Sequence, residues 1–214
     1  SPTGSAVLAH RFVLLQTFGG YGLNAEVGAA ARFSLPSVAR LLSDGHLLVV
    51  DGGACRLQRL TTSGVVLAMV GALGQSAGKL NFPTDAVVVD GTAYVVERGN
   101  GRLQRLPLEP EADVAAVKGN AVEGRIHVSA VVADTSSTEL VHPWGVALVG
   151  DRLFVGDMEG RLLAYDPASL SLLYDFGHDV LRCPTGIAAM GRELFTVDHK
   201  KHTLECFELP PPEA

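Results

Sequence analysis

The sequence predicts an all-β protein, a β-propeller built from four antiparallel blades. The phrase VVDGGACRLQRL (49–60) returns as VVERGNGRLQRL (95–106), 46 residues later, with eight of its twelve residues identical. A proline stands ahead of these two phrases and of two looser copies, and an acid follows each proline by 14 or 15 residues. A constant internal spacing with variable distances between units is typical of a repeat with loop insertions. The prolines are Pro36, Pro83, Pro143 and Pro184, and the acids are Asp51, Glu97, Asp157 and Asp198.

Each unit predicts a set of short strands. After the proline comes a nearly all-apolar run, such as Ala86–Val89 or Val146–Val149, which is typical of a strand covered on both faces. A turn such as Asp90-Gly91 then predicts a hairpin to a second strand. A polar turn leads to a third strand, and the runs 65–71 and 171–177 predict fourth strands. Four antiparallel strands in about 40–50 residues form the unit of a propeller blade.

The chain predicts a single domain, 1–214, that closes on itself. Residues 107–124 read as a surface insertion in the second blade, with 125–134 as its delayed fourth strand. The opening phrase FVLLQTFG (12–19) matches the fourth-strand phrases, whereas the last unit ends after its third strand. Because closure removes sheet edges, we expect this N-terminal strand to complete the last blade and lock a four-bladed ring. The alternative is a fragment of a six-bladed propeller.

The composition predicts a soluble protein with a real core. Hydrophobic residues make up 47% of the 214 positions, and the net charge of −6 argues against a protein that lives on nucleic acid phosphates, although one local basic face stays possible. Cys55, Cys183 and Cys206 lack zinc-type spacing and predict free thiols, which fits a reducing, cytoplasmic compartment. The longest uncharged run, 60–78, is rich in polar residues and glycine and does not predict a membrane span.

The repeated phrase resembles a known family of repeats. FPTDAVVVDGTAYVVERGNGRLQRL and LPSVARLLSDGHLLVVDGGACRLQRL resemble the NHL repeat, in which this strand–turn–strand phrase builds propeller blades. The resemblance covers Leu35 to Leu209 apart from the insertion. It implies the propeller fold, and NHL propellers include RNA-binding modules, protein-interaction modules and amidating lyases. The fold alone therefore assigns no activity.

An acid and a base recur at the same place in every unit, at the end of the second strand and the start of the third. A turn between antiparallel strands brings such residues within ion-pair range. We interpret the pairs as structural, with each acid accepting backbone N–H groups and orienting its base, because a catalytic group is needed only once. The pairs are Asp51/Arg56, Glu97/Arg102, Asp157/Arg161 and Asp198/His202.

The residues that could bind a partner lie on the predicted loops of one face. In a propeller, the loops before the first strands and the turns between second and third strands share that face, and binding residues concentrate on such loops. Trp144 is the only tryptophan and is predicted to anchor a partner, although it could instead plug the mouth of the channel. The predicted partner-binding set is Trp144, Arg98, Asn100, His199, Lys200 and Asp85.

These patterns favour a non-enzymatic scaffold that binds a protein or peptide partner. Amidating lyases of this fold place zinc-binding histidines directly after the proline, whereas this chain has Ser37, Thr84, Trp144 and Thr185 there. We expect a monomer without metal or cofactor and without a membrane partner. Two alternatives stay open: a single-stranded RNA-binding module, and a metal-dependent lyase or lactonase-like hydrolase.

Overall fold

The computed structural model of the protein describes residues 14–108, 133–134 and 140–210. Within these residues, fifteen strands form four antiparallel sheets that follow one another along the chain. Sheet 1 contains β1 (Pro36–Leu41), β2 (Leu47–Asp51), β3 (Arg56–Leu60) and β4 (Val66–Val70). Sheet 2 contains β5 (Pro83–Val89), β6 (Thr92–Glu97), β7 (Arg102–Pro107) and β8 (Ala133–Asp134). Sheet 3 contains β9 (Pro143–Val149), β10 (Arg152–Asp157), β11 (Arg161–Tyr165) and β12 (Leu172–Phe176). Sheet 4 contains β13 (Pro184–Met190), β14 (Glu193–Asp198) and β15 (Thr203–Glu208).

The constant spacing between proline and acid in the sequence corresponds to a constant pairing register between the first and second strands of each sheet. In every sheet the proline opens the first strand and lies opposite the acid that closes the second, as Pro83 does opposite Glu97. A proline is tolerated there because the first residue of a strand need not donate to the ladder. The ladder is irregular just after the proline in all four sheets, and a glycine with positive φ, such as Gly91, turns the chain into the second strand. The predicted strand order is confirmed.

Successive sheets pack face to face through apolar layers. Side chains alternate between the two faces of a strand. On the second strands, the residues one and three before the acid face the following sheet, and those two and four before it face the preceding one. The layer between sheets 1 and 2 is built on Leu48, Val50, Ala93 and Val95. The layer between sheets 2 and 3 is built on Tyr94, Val96, Leu153 and Val155. The layer between sheets 3 and 4 is built on Phe154, Leu162, Leu194 and Phe207.

The row of sheets has two open ends. The first strands pack side by side in the order β1, β5, β9, β13. β5 and β9 have neighbours on both sides, and their first halves are almost entirely buried. β1 and β13 have a neighbouring sheet on one side only, and alternate residues along each of them are exposed.

Among the described residues, the N-terminal segment lies against sheet 1 and does not pair with sheet 4, so the predicted ring closure through sheet 4 is not confirmed. Phe18 and Phe33 pack on the cluster around Val49, and the Gly28 amide donates to the Val66 carbonyl at 2.8 Å. Sheet 4 has three strands among the described residues. The physical reason is that the face of sheet 1 that carries Val49 has no preceding sheet to cover it, so the apolar residues of the segment cover it instead. Residues 12 and 13 of the predicted strand lie outside the described residues.

Most of the predicted insertion lies outside the described residues, because the first described range ends at 108 and the next begins at 133. Pro107 ends β7, and Leu108 is buried against the layer between sheets 1 and 2. β8 pairs with Gln104 and Arg105, so the end of the predicted delayed fourth strand is confirmed. Its earlier part, 125–132, is not described.

Gly145 gives a test of how closely neighbouring sheets approach. A Cβ at residue 145 would overlap the carbonyl oxygen of Thr185 on the next sheet, and a backbone atom cannot move aside cheaply. We expect Gly145→Ala to lower the free energy of unfolding by about 1–3 kcal/mol in urea denaturation at sub-micromolar protein concentration.

Gly186→Ala is the matched control because it changes the same position of sheet 4. A Cβ there would meet only Cγ2 of Val197, at the ordinary distance of 3.8 Å, so the stability should change little. Equal losses in the two variants would contradict the close approach of the sheets.

Candidate functional site

The four buried acids fasten the loops that lead into the sheets. Each carboxylate accepts the backbone amide of the residue two positions before the proline of its own sheet. All four acid side chains are fully buried. The bonds run from Ser34 to Asp51 at 2.6 Å, from Asn81 to Glu97 at 2.8 Å, from Val141 to Asp157 at 2.9 Å and from Arg182 to Asp198 at 2.6 Å. These lead-in loops and the turns between second and third strands form one surface, which we name the loop face.

Three of the four predicted acid–base pairs are confirmed. Arg56 Nε lies 2.9 Å from Asp51 Oδ2, and Arg102 Nε lies 2.6 Å from Glu97 Oε1. Arg161 Nη2 lies 3.2 Å from Asp157 Oδ2. The first two arginines also donate to carbonyls of the lead-in loops, as Arg102 does to Lys79 at 2.9 Å. The pairs therefore bind each loop to its sheet, as the structural interpretation requires.

The fourth predicted pair, Asp198 with His202, was wrong. Asp198 instead accepts the backbone amides of Arg182, Cys183, Lys200 and Lys201. His202 has a φ of 58° and holds the left-handed position that Cys55 and Gly101 hold in sheets 1 and 2, so Thr203, five residues after the acid, lies opposite Asp198. In sheet 4, the four backbone amides donate the hydrogen bonds to the buried acid that an arginine and backbone amides donate together in the other sheets.

Trp144 and Arg98 meet at the centre of the loop face. Trp144 is the second residue of β9, and Arg98 begins the turn after β6. The guanidinium carbon lies 5.5 Å from the centroid of the indole ring, which is within cation–π distance. The Arg98 amide donates to the Phe82 carbonyl at 3.2 Å, which holds the turn in place. Arg98 is exposed and Trp144 is half-buried, so the pair presents a flat aromatic and a cation to solvent.

Charges from three sheets converge around the buried thiol of Cys183. Burial raises the pKa of Cys183, and the charges of Asp198 and Glu159 act in the same direction. Lys200 and Arg98 oppose them. Arg98 of sheet 2 lies over Trp144 of sheet 3, and the Thr185 carbonyl of sheet 4 lies against Gly145 beside it, so the three sheets meet here. The exposed groups of this patch are Arg98, Glu159, His199 and Lys200, and Glu159 is paired with His142 at 2.9 Å.

Two members of the predicted binding set are engaged inside the protein. Asn100 donates to Glu97 at 2.7 Å and to the Gly74 carbonyl at 3.0 Å, so its amide holds the turn. Asp85 is buried, and its carboxylate joins three sheets by accepting Arg40 at 2.7 Å and the amides of Ala86 at 2.7 Å and Val146 at 3.1 Å. Burial raises the pKa of Asp85, and Arg40 acts against that rise. Both residues serve the scaffold beneath the loop face.

A cavity of about 520 Å³ lies at the opposite end, between sheets 1 and 2. It is lined by the hairpin turns at Asp44 and Asp90 and by the side chains of Arg40 and Arg59. Both arginines are already paired, Arg40 with Asp85 and Arg59 with Asp44. The backbone amide of His46 together with the side chains of His46 and Arg59 lowers the pKa of Asp44 to about 2. The lining is therefore charge-compensated and does not favour an ionic ligand.

Among residues 14–108, 133–134 and 140–210, no group of three or more histidine, cysteine, aspartate or glutamate side chains is placed to hold a metal ion. In the same part of the chain, no helix is long and apolar enough to span a membrane.

Comparisons with solved structures identify the architecture. The chain is similar to the WD40 β-propeller domain of Doa1, with a TM-score of 0.61 and 10% identity over 82% of this chain and 51% of that one. The fold is propeller-like. Two computationally designed proteins are also similar: Ika4 (TM-score 0.54, 13% identity, 92% of this chain and 100% of that one) and Ika8 (TM-score 0.53, 12% identity, 83% and 47%). Neither the protein-family models nor the curated proteins match the sequence.

The bonds to Asp198 predict a pH-dependent contribution to stability. Burial by itself raises the pKa of Asp198, but the four backbone amides outweigh it and hold the pKa below its ordinary value. A depressed carboxyl pKa stabilises the fold above the pKa of the unfolded chain and loses that contribution as pH falls through the folded pKa. We expect Asp198→Asn to lower the free energy of unfolding by about 2 kcal/mol at pH 7.

The difference between Asp198→Asn and the unmodified protein should begin to narrow below about pH 4, where the aspartate of the unfolded chain becomes protonated, and should be lost as pH falls through the lower pKa of the folded protein. Urea denaturation at a series of pH values measures it. Asp179→Asn, an exposed position in the preceding turn, is the control and should follow the unmodified protein throughout. A loss for Asp198→Asn that stays constant with pH would contradict the assignment.

Proposed function

We propose that the protein is a non-enzymatic interaction scaffold whose loop face binds a segment of another protein. The observation that carries the proposal is the Trp144–Arg98 pair, an aromatic and a cation held together on a surface of anchored loops. Tryptophan and arginine are enriched among the residues that dominate binding energy. We infer further that the four sheets are blades of NHL-like repeats, a proposal supported by the proline and acid that recur in all four sheets and by the arginine that recurs in three of them.

The lead-in loops are anchored before a partner binds, which favours tight binding at the loop face. Each lead-in loop is bonded to a buried carboxylate, so the loop face does not need to be ordered when a partner arrives. Preorganisation of this kind raises affinity because less conformational entropy is lost on association.

The charges of the loop face indicate the chemistry of the partner. Arg98, His199 and Lys200 are exposed, while the nearby carboxylate of Glu159 already faces His142. A segment with an apolar side chain for Trp144 and a carboxylate for Arg98 and Lys200 complements this surface. Single-stranded RNA would need several stacking rings along a positive groove, whereas Tyr21, the other candidate, lies on the N-terminal segment and forms a bridge with Phe33, ahead of sheet 1.

Truncation of the pair tests the proposal. Partners would first be trapped by a photo-crosslinking residue placed at Met158, in the loop-face turn of sheet 3, and identified by mass spectrometry. We expect Trp144→Ala to weaken binding of the trapped partner about 30-fold or more, and Arg98→Ala about tenfold, in titration calorimetry.

The chain contains a matched control pair. Arg152 lies 5.2 Å from the ring of Tyr174, which is on the outer strand of sheet 3, so Tyr174→Ala removes the same kind of contact away from the loop face. It should leave affinity unchanged. Equal binding by the Trp144→Ala variant would remove the proposal. Trapping of RNA with an affinity that falls steeply with salt would favour the RNA-binding alternative.

A further inference from the structure

The outward face of sheet 4 has the residues of an internal junction, but no sheet in the described part of the chain packs on it. Val96 and Leu103 are fully buried where sheet 2 meets sheet 3. Val197 and Leu204 occupy the same positions of sheet 4, one residue before the acid and six after it, and they are 49% and 65% exposed. Apolar residues that are buried at one junction therefore stand uncovered at the end of the row.

The outward face of sheet 1 is its counterpart. Leu41 is five residues after the proline, the position of Val88 and Leu148, which pack against the preceding sheet. Leu41 is 74% exposed because no sheet among the described residues packs in front of sheet 1 at this strand. On this face the N-terminal segment packs on the cluster that contains Val49, which belongs to the later strands of the sheet. It leaves β1 exposed.

The two open faces correspond to the two halves of one junction. Where sheets 2 and 3 meet, Val89, six residues after its proline, packs in the same layer as Leu148. The equivalent residues at the ends are Met190, which is 68% exposed, and Leu41. Gly186 adds to the match, since it has the position at which Gly145 admits the carbonyl of Thr185, yet no backbone atom approaches it.

We propose that a second copy of this chain docks head to tail, with sheet 4 of each copy on sheet 1 of the other. Two such junctions related by a two-fold axis close a ring and leave no open face, whereas a single junction would leave two. The outward face of sheet 4 lacks a following sheet, and the outward face of sheet 1 is like the face that a following sheet presents. Each face therefore complements the other face and not a second copy of itself. The chain matches 51% of the Doa1 propeller domain and 47% of Ika8, so two copies supply about as much chain as each of those folds contains.

Single cysteines test the junction between copies. Leu41→Cys and Met190→Cys would be made in separate chains, each with the exposed Cys206 changed to Ser. Mixing the two chains under mild oxidation should give a crosslinked species of twice 22.5 kDa. Neither chain alone should give it, because a head-to-tail junction never places two copies of one residue together.

Closure within one chain gives a different result and would overturn the proposal. A chain that carries both cysteines would then crosslink internally at the mass of one copy, and the mixed single-cysteine chains would not crosslink.

The mass in solution is the second measurement. By sedimentation velocity at high micromolar concentration, the unmodified chain should sediment as two copies. Val197→Glu and Leu41→Glu each place a charge in the junction and should raise the dissociation constant of the dimer about 100-fold. Because both residues are exposed in the single chain, the melting of the isolated copies should be unaffected.

Leu173→Glu is the control for the added charge. It lies on the outer strand β12 and is 43% exposed, away from both end faces, so its variant should remain a pair of copies. An unmodified chain that sediments as one copy, or as an open series of larger assemblies, would overturn the proposal. Binding at the loop face is tested by Trp144→Ala, so either proposal can fail without the other.

Discussion

One interaction, the bond from a buried carboxylate to the amide two residues before a proline, recurs in every sheet and fixes the rest of the structure. It joins positions 16 or 17 residues apart and so closes each lead-in loop onto the sheet that the loop begins. A buried carboxylate without donors would be strongly unfavourable, so the loop, the turn and, in sheets 1 to 3, the arginine beside the acid must all be in place together. The proline follows from the same constraint, since it opens the strand opposite the acid without needing a ladder partner.

The sequence was sufficient for the repeated part of the fold because repetition multiplies weak signals. One proline or one Asp-Gly turn predicts little, but four copies with a constant spacing predict a register, and the strands follow that register from Pro36 to Glu208. His202 shows the limit of the method. It follows its acid by four residues, as Arg161 does, whereas the register of sheet 4 has the five-residue spacing seen for Arg56 and Arg102. The residue types of the turn do not show which of the two spacings it adopts.

The ends of the row of sheets and the candidate site depended on contacts between distant residues. The N-terminal phrase resembles a fourth strand, but what it packs on is decided by which apolar face is left uncovered, and sequence alone does not show that. The same holds for Asp85 and Asn100, whose residue types suggest binding until their bonds to other sheets and turns are seen. Trp144 and Arg98 are 46 residues apart, and only the packing of sheets 2 and 3 brings them together.

Because each carboxylate ties its loop to its own sheet, a unit carries most of its internal bonding from the lead-in loop to the last strand. Gene duplication can therefore copy such a unit without breaking it, and the eight identities among the twelve residues of 49–60 and 95–106 are consistent with such a copy. Gain or loss of a unit would change the curvature of the whole row while preserving every local bond. The number of sheets in such a chain would then record how often the unit was duplicated or lost. Its binding specificity would depend on the few residues in the loops and turns that connect the strands.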